Sequence, residues 1–151
     1  MRYIEPATLD DLPQLADLLI ELFTAESDFQ PDRTKQLRGL RHIIEHPEIG
    51  RILVAREGSE IVGMVSLLFT ISTAEGGPVA LLEDMIVRST HRGQGLGPRL
   101  LQHAIQCAQA QGLSRITLLT DGHNAKAIGL YAKHGFKPSG MLPMRLHLDG
   151  S

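Results

Sequence analysis

The stretch VALLEDMIVRSTHRGQGLGPRLLQHAI, residues 79–105, contains the change of pattern on which the predicted fold rests. Residues 79–87 are mostly apolar, which is typical of a buried strand. From Leu96 onward the apolar side chains recur at helical spacing instead. Between the two segments lie Gly93, Gly95 and Gly97, which predict a tight turn from strand to helix.

The glycine-rich turn is a candidate anion site. Each glycine costs backbone entropy on folding, so three in one turn indicate a backbone that approaches something closely. A helix N-terminus presents N–H groups and partial positive charge, which favour a phosphate, and Arg92 is a candidate charged partner for it. The spacing fits neither the G-x-G-x-x-G dinucleotide motif nor the P-loop. A purely structural turn is the alternative.

Working outward from this stretch, the pattern predicts strand, two helices, three strands, helix, strand, helix and strand. The order predicts an α/β fold with a mixed central β-sheet flanked by about four helices, in a single domain over residues 1–151. The predicted strands are 2–5, 51–57, 61–69, 79–87, 114–120 and a last one within FKPSG and LPMRLHL; the predicted helices are about 9–23, 32–46, 96–110 and 125–134.

The composition is that of an ordinary soluble protein, with 42% hydrophobic and 21% charged residues. No apolar run reaches the length of about 18 residues that a membrane span needs, and residues 1–12 lack the apolar core of a signal peptide. The single cysteine, Cys107, excludes an internal disulfide framework and fits a small core residue. We therefore expect a cytoplasmic protein with no membrane partner.

The charge is unevenly distributed along the chain. Residues 1–84 carry 15 acidic and 7 basic side chains, whereas residues 85–151 carry 2 acidic and 8 basic ones. This asymmetry predicts an anionic ligand on the C-terminal half and a cationic one facing the N-terminal half, unless the charges segregate by chance. Nucleic acid is disfavoured as the anion, because the chain has no Trp and only 4% aromatic residues.

Two separate motifs carry a resemblance to a known family. Arg92-Gly93-Gln94-Gly95-Leu96-Gly97 resembles the [QR]-x-x-G-x-[GA] signature of the GNAT superfamily of N-acetyltransferases, and the preceding LLEDMIV is similar to the family's fourth strand. NAKAIGLYAKHGF, residues 124–136, resembles its N-x-x-A-x-x-[LF]-Y-x-[KR]-x-G-F block. The resemblance covers residues 50–137 and implies the GNAT fold.

The resemblance also implies a cofactor, acetyl-CoA, and residues that hold it. The backbone of Ile86 and Val87 is expected to hold the pantetheine arm and the thioester oxygen. One position departs from the family, because Pro98 lacks the N–H that members often offer there, so a weaker phosphate cradle is expected. The remaining cofactor contacts implied by the resemblance are Arg92, Gly93, Gln94, Gly95, Gly97, Asn124 and Lys133.

Two side chains are candidates for proton transfer. Tyr131 matches the family's tyrosine that protonates the departing thiolate, and its alternative role is that of a core aromatic. Glu83 is the candidate base, because alternation puts it and Asp84 on opposite faces and a carboxylate near a buried strand should have a raised pKa. A carboxylate bonded to a neighbouring loop is the alternative reading of Glu83.

The implied reaction is transfer of an acetyl group from acetyl-CoA to a primary amine of a small molecule or peptide, by direct attack. Glu21, Glu26, Asp28 and Glu75 hint at a cationic acceptor. The alternatives are a non-catalytic acyl-CoA-binding regulatory module on the same fold and an unrelated anion-binding domain. A homodimer is compatible with the family.

A further motif is typical of a zinc site, but the residues around it do not support metal binding. His42-Ile43-Ile44-Glu45-His46 spells H-x-x-E-H, which places two histidines one helical turn apart. They lie opposite the apolar stripe, and the sequence marks no third ligand. We therefore predict no metal site.

Overall fold

A five-stranded mixed sheet organises the first 121 residues of the computed structural model, which describes residues 2–26 and 29–149. The strands follow one another in chain order across the sheet; the first four are antiparallel and the last pair is parallel. The strands are β1 (Arg2–Pro6), β2 (Gly50–Glu57), β3 (Glu60–Ser72), β4 (Gly77–Val87) and β5 (Ile116–Leu118); the helices are α1 (Leu12–Ala25), α2 (Arg33–Glu45), α3 (Leu96–Ala110) and α4 (Ala125–Lys133). The predicted α/β class, mixed sheet and four helices are confirmed.

Helices cover both faces of this sheet. Met64 belongs to the core that α1 and α2 form with the sheet. Its neighbour Gly63 faces the other way, because successive residues of a strand point to opposite faces. A Cβ on Gly63 would come within 2.8 Å of Leu100 Cδ1 on α3. The missing side chain thus lets α3 pack closely against β3, and α3 carries the glycine turn at its N-terminus.

The predicted start of the first helix differs from the structure. The pattern predicts a helix from about Leu9, whereas a short 3₁₀ turn occupies Leu9–Asp11 and α1 begins at Leu12. Asp11 accepts a hydrogen bond from the Thr8 N–H at 2.8 Å and holds this turn. Pro13 then lies in the first turn of α1, where a missing N–H costs nothing.

The second unit of the chain, residues 122–151, contains α4 and is described by itself. Asn124 caps this helix, since its side chain accepts a hydrogen bond from the Ala127 N–H at 3.1 Å. The helix ends at Lys133, and Gly135, just after the cap residue His134, has a φ of 94° in the region that favours glycine. The prediction of one domain over residues 1–151 stays a prediction.

The predicted last strand is wrong. Residues 136–149 form no strand, and the second unit offers no other strand among its described residues with which they would pair. Alternating apolar residues favour a strand only when a ladder and a covered face are available. Here the apolar side chains of this segment are exposed instead: Met141 (85%), Leu142 (81%), Met144 (88%), Leu146 (82%) and Leu148 (91%).

Within the described part of the chain, no helix has the length and apolar character required to cross a membrane.

Candidate active site

Strand β4 extends beyond its parallel neighbour β5. Their last pair joins Leu82 and Leu118, yet β4 continues to Val87. Over residues 83–87, the side of β4 away from β3 therefore has no ladder partner among the described strands. Such an unpaired edge binds extended ligands through main-chain hydrogen bonds. The open edge runs directly towards the glycine turn.

The direction of the backbone groups differs between Ile86 and Val87. The Arg88 N–H donates to the Val62 carbonyl of β3 at 2.8 Å. Backbone groups of an antiparallel strand alternate in direction, so those of Ile86 also point to β3, whereas those of Val87 point to the open edge. The geometry thus favours Val87 over Ile86 for the backbone contact that the sequence predicts.

A β-bulge at Glu83 places the two acidic residues of β4 in different surroundings. Ser66 pairs with Asp84 and Leu67 pairs with Leu82, so Glu83 has no partner on β3. A bulge inserts one extra residue and redirects the side chains beside it. Glu83 is exposed, whereas Asp84 is partly buried beside the fully buried Ser66. The buried carboxylate at this point of the strand is therefore Asp84, and not the Glu83 that the sequence favours as base.

Burial and neighbouring charge act on the Asp84 carboxylate. Desolvation is the largest cause, and with the charges of Glu83 and Glu26 it raises the pKa of Asp84 to about 7. The Ser66 hydroxyl opposes this shift weakly; its Oγ lies 3.4 Å from Asp84 Oδ2 and accepts from the Asp84 N–H at 3.1 Å. A carboxyl group with this pKa exchanges a proton near neutral pH, which suits a general base.

The glycine turn has the backbone conformation that its composition predicts. Gly93 and Gly95 have φ angles of 78° and 79°, in the left-handed region, and space is open where a Cβ of either would lie. The first backbone bond of α3 runs from the Arg99 N–H to the Gly95 carbonyl at 3.4 Å. The amides of Leu96 and Gly97 precede that bond and are available to an anion. Pro98, in the same helical turn, has no N–H to add.

The Arg92 side chain forms an ion pair with Glu21 of α1. Its Nη2 donates to Glu21 Oε1 at 3.0 Å, and its Nε donates to the Val87 carbonyl at 3.2 Å. The same Glu21 oxygen accepts the Ser89 N–H at 3.0 Å. The Gln94 side chain in turn accepts a hydrogen bond from Arg2 of β1. The predicted phosphate ligands Arg92 and Gln94 therefore have protein partners for their side chains.

Two of the acidic residues predicted to attract a cationic acceptor form ion pairs. Glu21 pairs with Arg92, and Glu75 lies 3.9 Å from Arg115. Glu26 remains as a charge that acts on Asp84. Asp28 lies outside the described residues. A cationic acceptor would therefore be attracted by the charges of Asp84, Glu83 and Glu26.

The predicted site residues of the second unit lie on or beside α4. Tyr131 is half-buried, and its ring meets that of Phe136 edge-on with the centroids 5.8 Å apart. Asn124 serves as the helix cap, and Lys133 is exposed in the last turn. Their roles towards a cofactor stay predictions.

The histidine pair has the spacing that the sequence predicts. The rings of His42 and His46 have centroids 6.1 Å apart, and His46 Nδ1 bonds to the His42 carbonyl oxygen at 2.8 Å. Among residues 2–26 and 29–149, no group of three or more His, Cys, Asp or Glu side chains is arranged to hold a metal ion.

Comparison with known proteins identifies the family. A model of the acetyltransferase (GNAT) family matches residues 12–136, a range that contains β4, the glycine turn and α4. The chain belongs to the GNAT family of acetyltransferases. GNAT acetyltransferases use acetyl-CoA as the donor of the acetyl group.

Individual relatives agree with this assignment. The chain is 36% identical to an IAA acetyltransferase of Azospirillum brasilense over 126 residues, which cover 83% of the chain and 78% of that protein. It is 29% identical to an aminoalkylphosphonate N-acetyltransferase of Salmonella typhimurium, over 88% of the chain and 83% of the relative. It is 36% identical to the uncharacterized N-acetyltransferase YhfO of Bacillus subtilis, where the match covers 57% of the chain and only 58% of the relative.

The structural comparison gives the same fold. An integron cassette protein from the mobile metagenome of Cole Harbour Salt Marsh superposes with a TM-score of 0.83 at 29% identity. The superposition covers 96% of the chain and 90% of the cassette protein. A possible acetyltransferase of Clostridium difficile 630 superposes with a TM-score of 0.87 at 15% identity, over 98% of both chains. The GNAT fold expected from the two sequence motifs is confirmed.

The structure gives Asp84 and Glu21 surroundings that the sequence does not predict. Asp84 is a second acid on β4, but strict alternation gives no reason to prefer it over Glu83, because no sequence signal marks the bulge. Glu21 is separated from Arg92 by 71 positions, and its pairing depends on how α1 crosses the sheet. No local pattern contains that information.

Proposed function

We propose that this GNAT chain transfers the acetyl group of acetyl-CoA to a primary amine of a small molecule or peptide by direct attack. One observation carries the proposal: Asp84, a carboxyl group with a pKa of about 7, lies on the strand that leads from the open β4 edge into the glycine turn. A binding module has no need of a carboxyl group poised to exchange protons, whereas amine acetylation does.

The donor fits the residues available on β4 and α3. The amides of Leu96 and Gly97, which precede the first backbone hydrogen bond of α3, and the open space at Gly93 and Gly95 suit a pyrophosphate at a helix N-terminus. The Val87 N–H at the open β4 edge suits the pantetheine arm or the thioester oxygen. Bound acetyl-CoA supplies the activated acetyl group, and the chain supplies position and electrostatics.

The acceptor is proposed to be a cationic primary amine. Asp84, Glu83 and Glu26 attract an ammonium group, and a bound cation offsets the mutual repulsion of these carboxylates. Asp84 then removes a proton from the ammonium group, directly or through a water molecule, so that the neutral amine attacks the thioester carbonyl. The similarity to the aminoalkylphosphonate N-acetyltransferase of Salmonella typhimurium supports an amine acceptor for this chain.

Two further roles belong to the proposal. Tyr131 donates its phenolic proton to the departing thiolate, as the family motif implies. Glu83, exposed at the bulge, guides the acceptor towards Asp84 and keeps its place as the alternative base. Asn124 and Lys133 are proposed as outer contacts of coenzyme A.

The test is release of free thiol from acetyl-CoA across a panel of primary amines, tertiary amines and alcohols. We expect thiol release with one or more cationic primary amines and none with tertiary amines. Asp84→Asn should lower kcat/KM by about 100-fold, whereas the matched variant Glu83→Gln should lower it by less than about threefold. Acetyl-CoA binding with no acceptor in any class would instead favour a regulatory acyl-CoA-binding module. Thiol release that Asp84→Asn leaves unchanged would exclude Asp84 as the base.

A further inference from the structure

We infer that Glu21 is a positioning residue that sets the shape of the cofactor turn from outside it. The inference rests on the proposed function, because the turn is the proposed pyrophosphate site. Glu21 lies near the C-terminal end of α1, and its side chain is 30% exposed. Its side chain reaches the segment between β4 and the turn, where it accepts hydrogen bonds from Ser89 and Arg92.

A single oxygen of Glu21 fixes two points of that segment. Oε1 accepts the Ser89 N–H at 3.0 Å and a hydrogen bond from Arg92 Nη2 at 3.0 Å. Arg92 Nε returns to the Val87 carbonyl at 3.2 Å. The last residue of β4, the start of the following 3₁₀ turn and the residue before Gly93 are thereby tied into one ring of hydrogen bonds. Charge-assisted bonds of this kind have defined geometry, so they hold the turn in one orientation.

The same ring affects the open edge of β4. The carbonyl of Val87 points to that edge, where an unpaired acceptor would repel a thioester oxygen. Arg92 Nε donates a hydrogen bond to this carbonyl, and the ion pair with Glu21 holds Arg92 in place. The edge therefore presents the Val87 N–H as its donor while its carbonyl is occupied.

The sign of the charge makes the inference testable. Glu21 is an anion close to a proposed phosphate site, so electrostatics alone predicts that its removal tightens the binding of acetyl-CoA. A positioning role predicts the opposite, because loss of Glu21 releases Arg92 and Ser89 and loosens the turn. The two accounts thus differ in direction and not only in size.

The experiment measures the Kd of acetyl-CoA and CoA and, with an acceptor, kcat and KM for three variants. Glu21→Ala should weaken acetyl-CoA binding by about tenfold, with a smaller effect on kcat. Glu21→Gln keeps an acceptor for the Ser89 N–H, so it should weaken acetyl-CoA binding by only about threefold. Asp17→Asn is the matched control: it removes an equal charge from α1, where Asp17 pairs with Arg33, and it should leave binding within about twofold of wild type.

The outcomes separate this inference from the proposed function. A folded wild-type chain that binds no acetyl-CoA overturns both. Wild-type binding together with equal or tighter binding by Glu21→Ala overturns only the inference, and leaves Glu21 as a surface ion pair. If Glu21→Ala does not fold, Glu21→Gln decides: weaker binding than that of Asp17→Asn supports positioning, and equal binding overturns it.

Discussion

The Asp84 carboxyl group is partly buried, and the charges of Glu83 and Glu26 act on it. Because burial raises its pKa to about 7 from an ordinary 3.8, the folded state holds this proton more tightly than the unfolded state does. Stability is therefore unaffected below about pH 4, falls as the pH rises from about 4 to 7, and stays lower above that range. Proteins retain such a group when function needs it.

Replacing Asp84 should thus stabilise the fold at high pH while harming turnover. We expect Asp84→Asn to raise the free energy of unfolding by about 2 kcal/mol at pH 8 and by little at pH 4. Denaturant unfolding at the two pH values measures this difference. Glu83→Gln, at the exposed position beside it, should show no comparable dependence on pH. Equal stability of Asp84→Asn and wild type at pH 8 would contradict the buried-carboxyl account.

The Tyr131 hydroxyl can be removed without changing the packing of its ring. The ring of Tyr131 contacts Phe136, so Tyr131→Phe keeps this aromatic packing and removes only the hydroxyl. We expect kcat to fall by about tenfold or more while KM for acetyl-CoA changes little. Steady-state kinetics at saturating acceptor give both parameters. A variant with full turnover would exclude Tyr131 as the proton donor.

Among the secondary-structure elements, the glycine turn and the bulge contrast most clearly in what the sequence predicts. Three closely spaced glycines indicate the turn, and the helix that follows it has the predicted bounds, Leu96–Ala110. The bulge at Glu83 depends on pairing with β3, which no local pattern records. The last strand, predicted within FKPSG and LPMRLHL, is wrong, because the described residues of the second unit offer residues 136–149 no strand with which to pair.

The turn itself is tested with two glycines of equal backbone strain. Gly95 (φ 79°) and Gly58 (φ 60°) both lie in the left-handed region, and each has open space where a Cβ would lie. An alanine at either position should cost about 1–2 kcal/mol of stability. Only Gly95→Ala should also weaken acetyl-CoA binding, by about tenfold, because its backbone lies in the proposed phosphate site. Equal binding by the two variants would show that the turn only joins β4 to α3.

Across the whole molecule, the uneven charge predicts two ligands of opposite sign. Several acids of the N-terminal half are engaged within the protein, since Glu21 pairs with Arg92, Glu75 with Arg115 and Asp11 with Arg56. Composition cannot distinguish an acid in such a pair from one that faces a ligand. Fewer acids therefore support a cationic acceptor than the sequence alone suggests, and those that do are Asp84, Glu83 and Glu26.

Thermal unfolding in the presence of acetyl-CoA, free CoA or ADP decides whether this fold binds the acetyl donor. A ligand at about 100 times its Kd adds about 2.7 kcal/mol, which raises Tm by several degrees in a domain of this size. We predict a clear rise with acetyl-CoA and CoA and little change with ADP. A folded chain whose Tm responds to none of the three, or equally to ADP, would contradict the account.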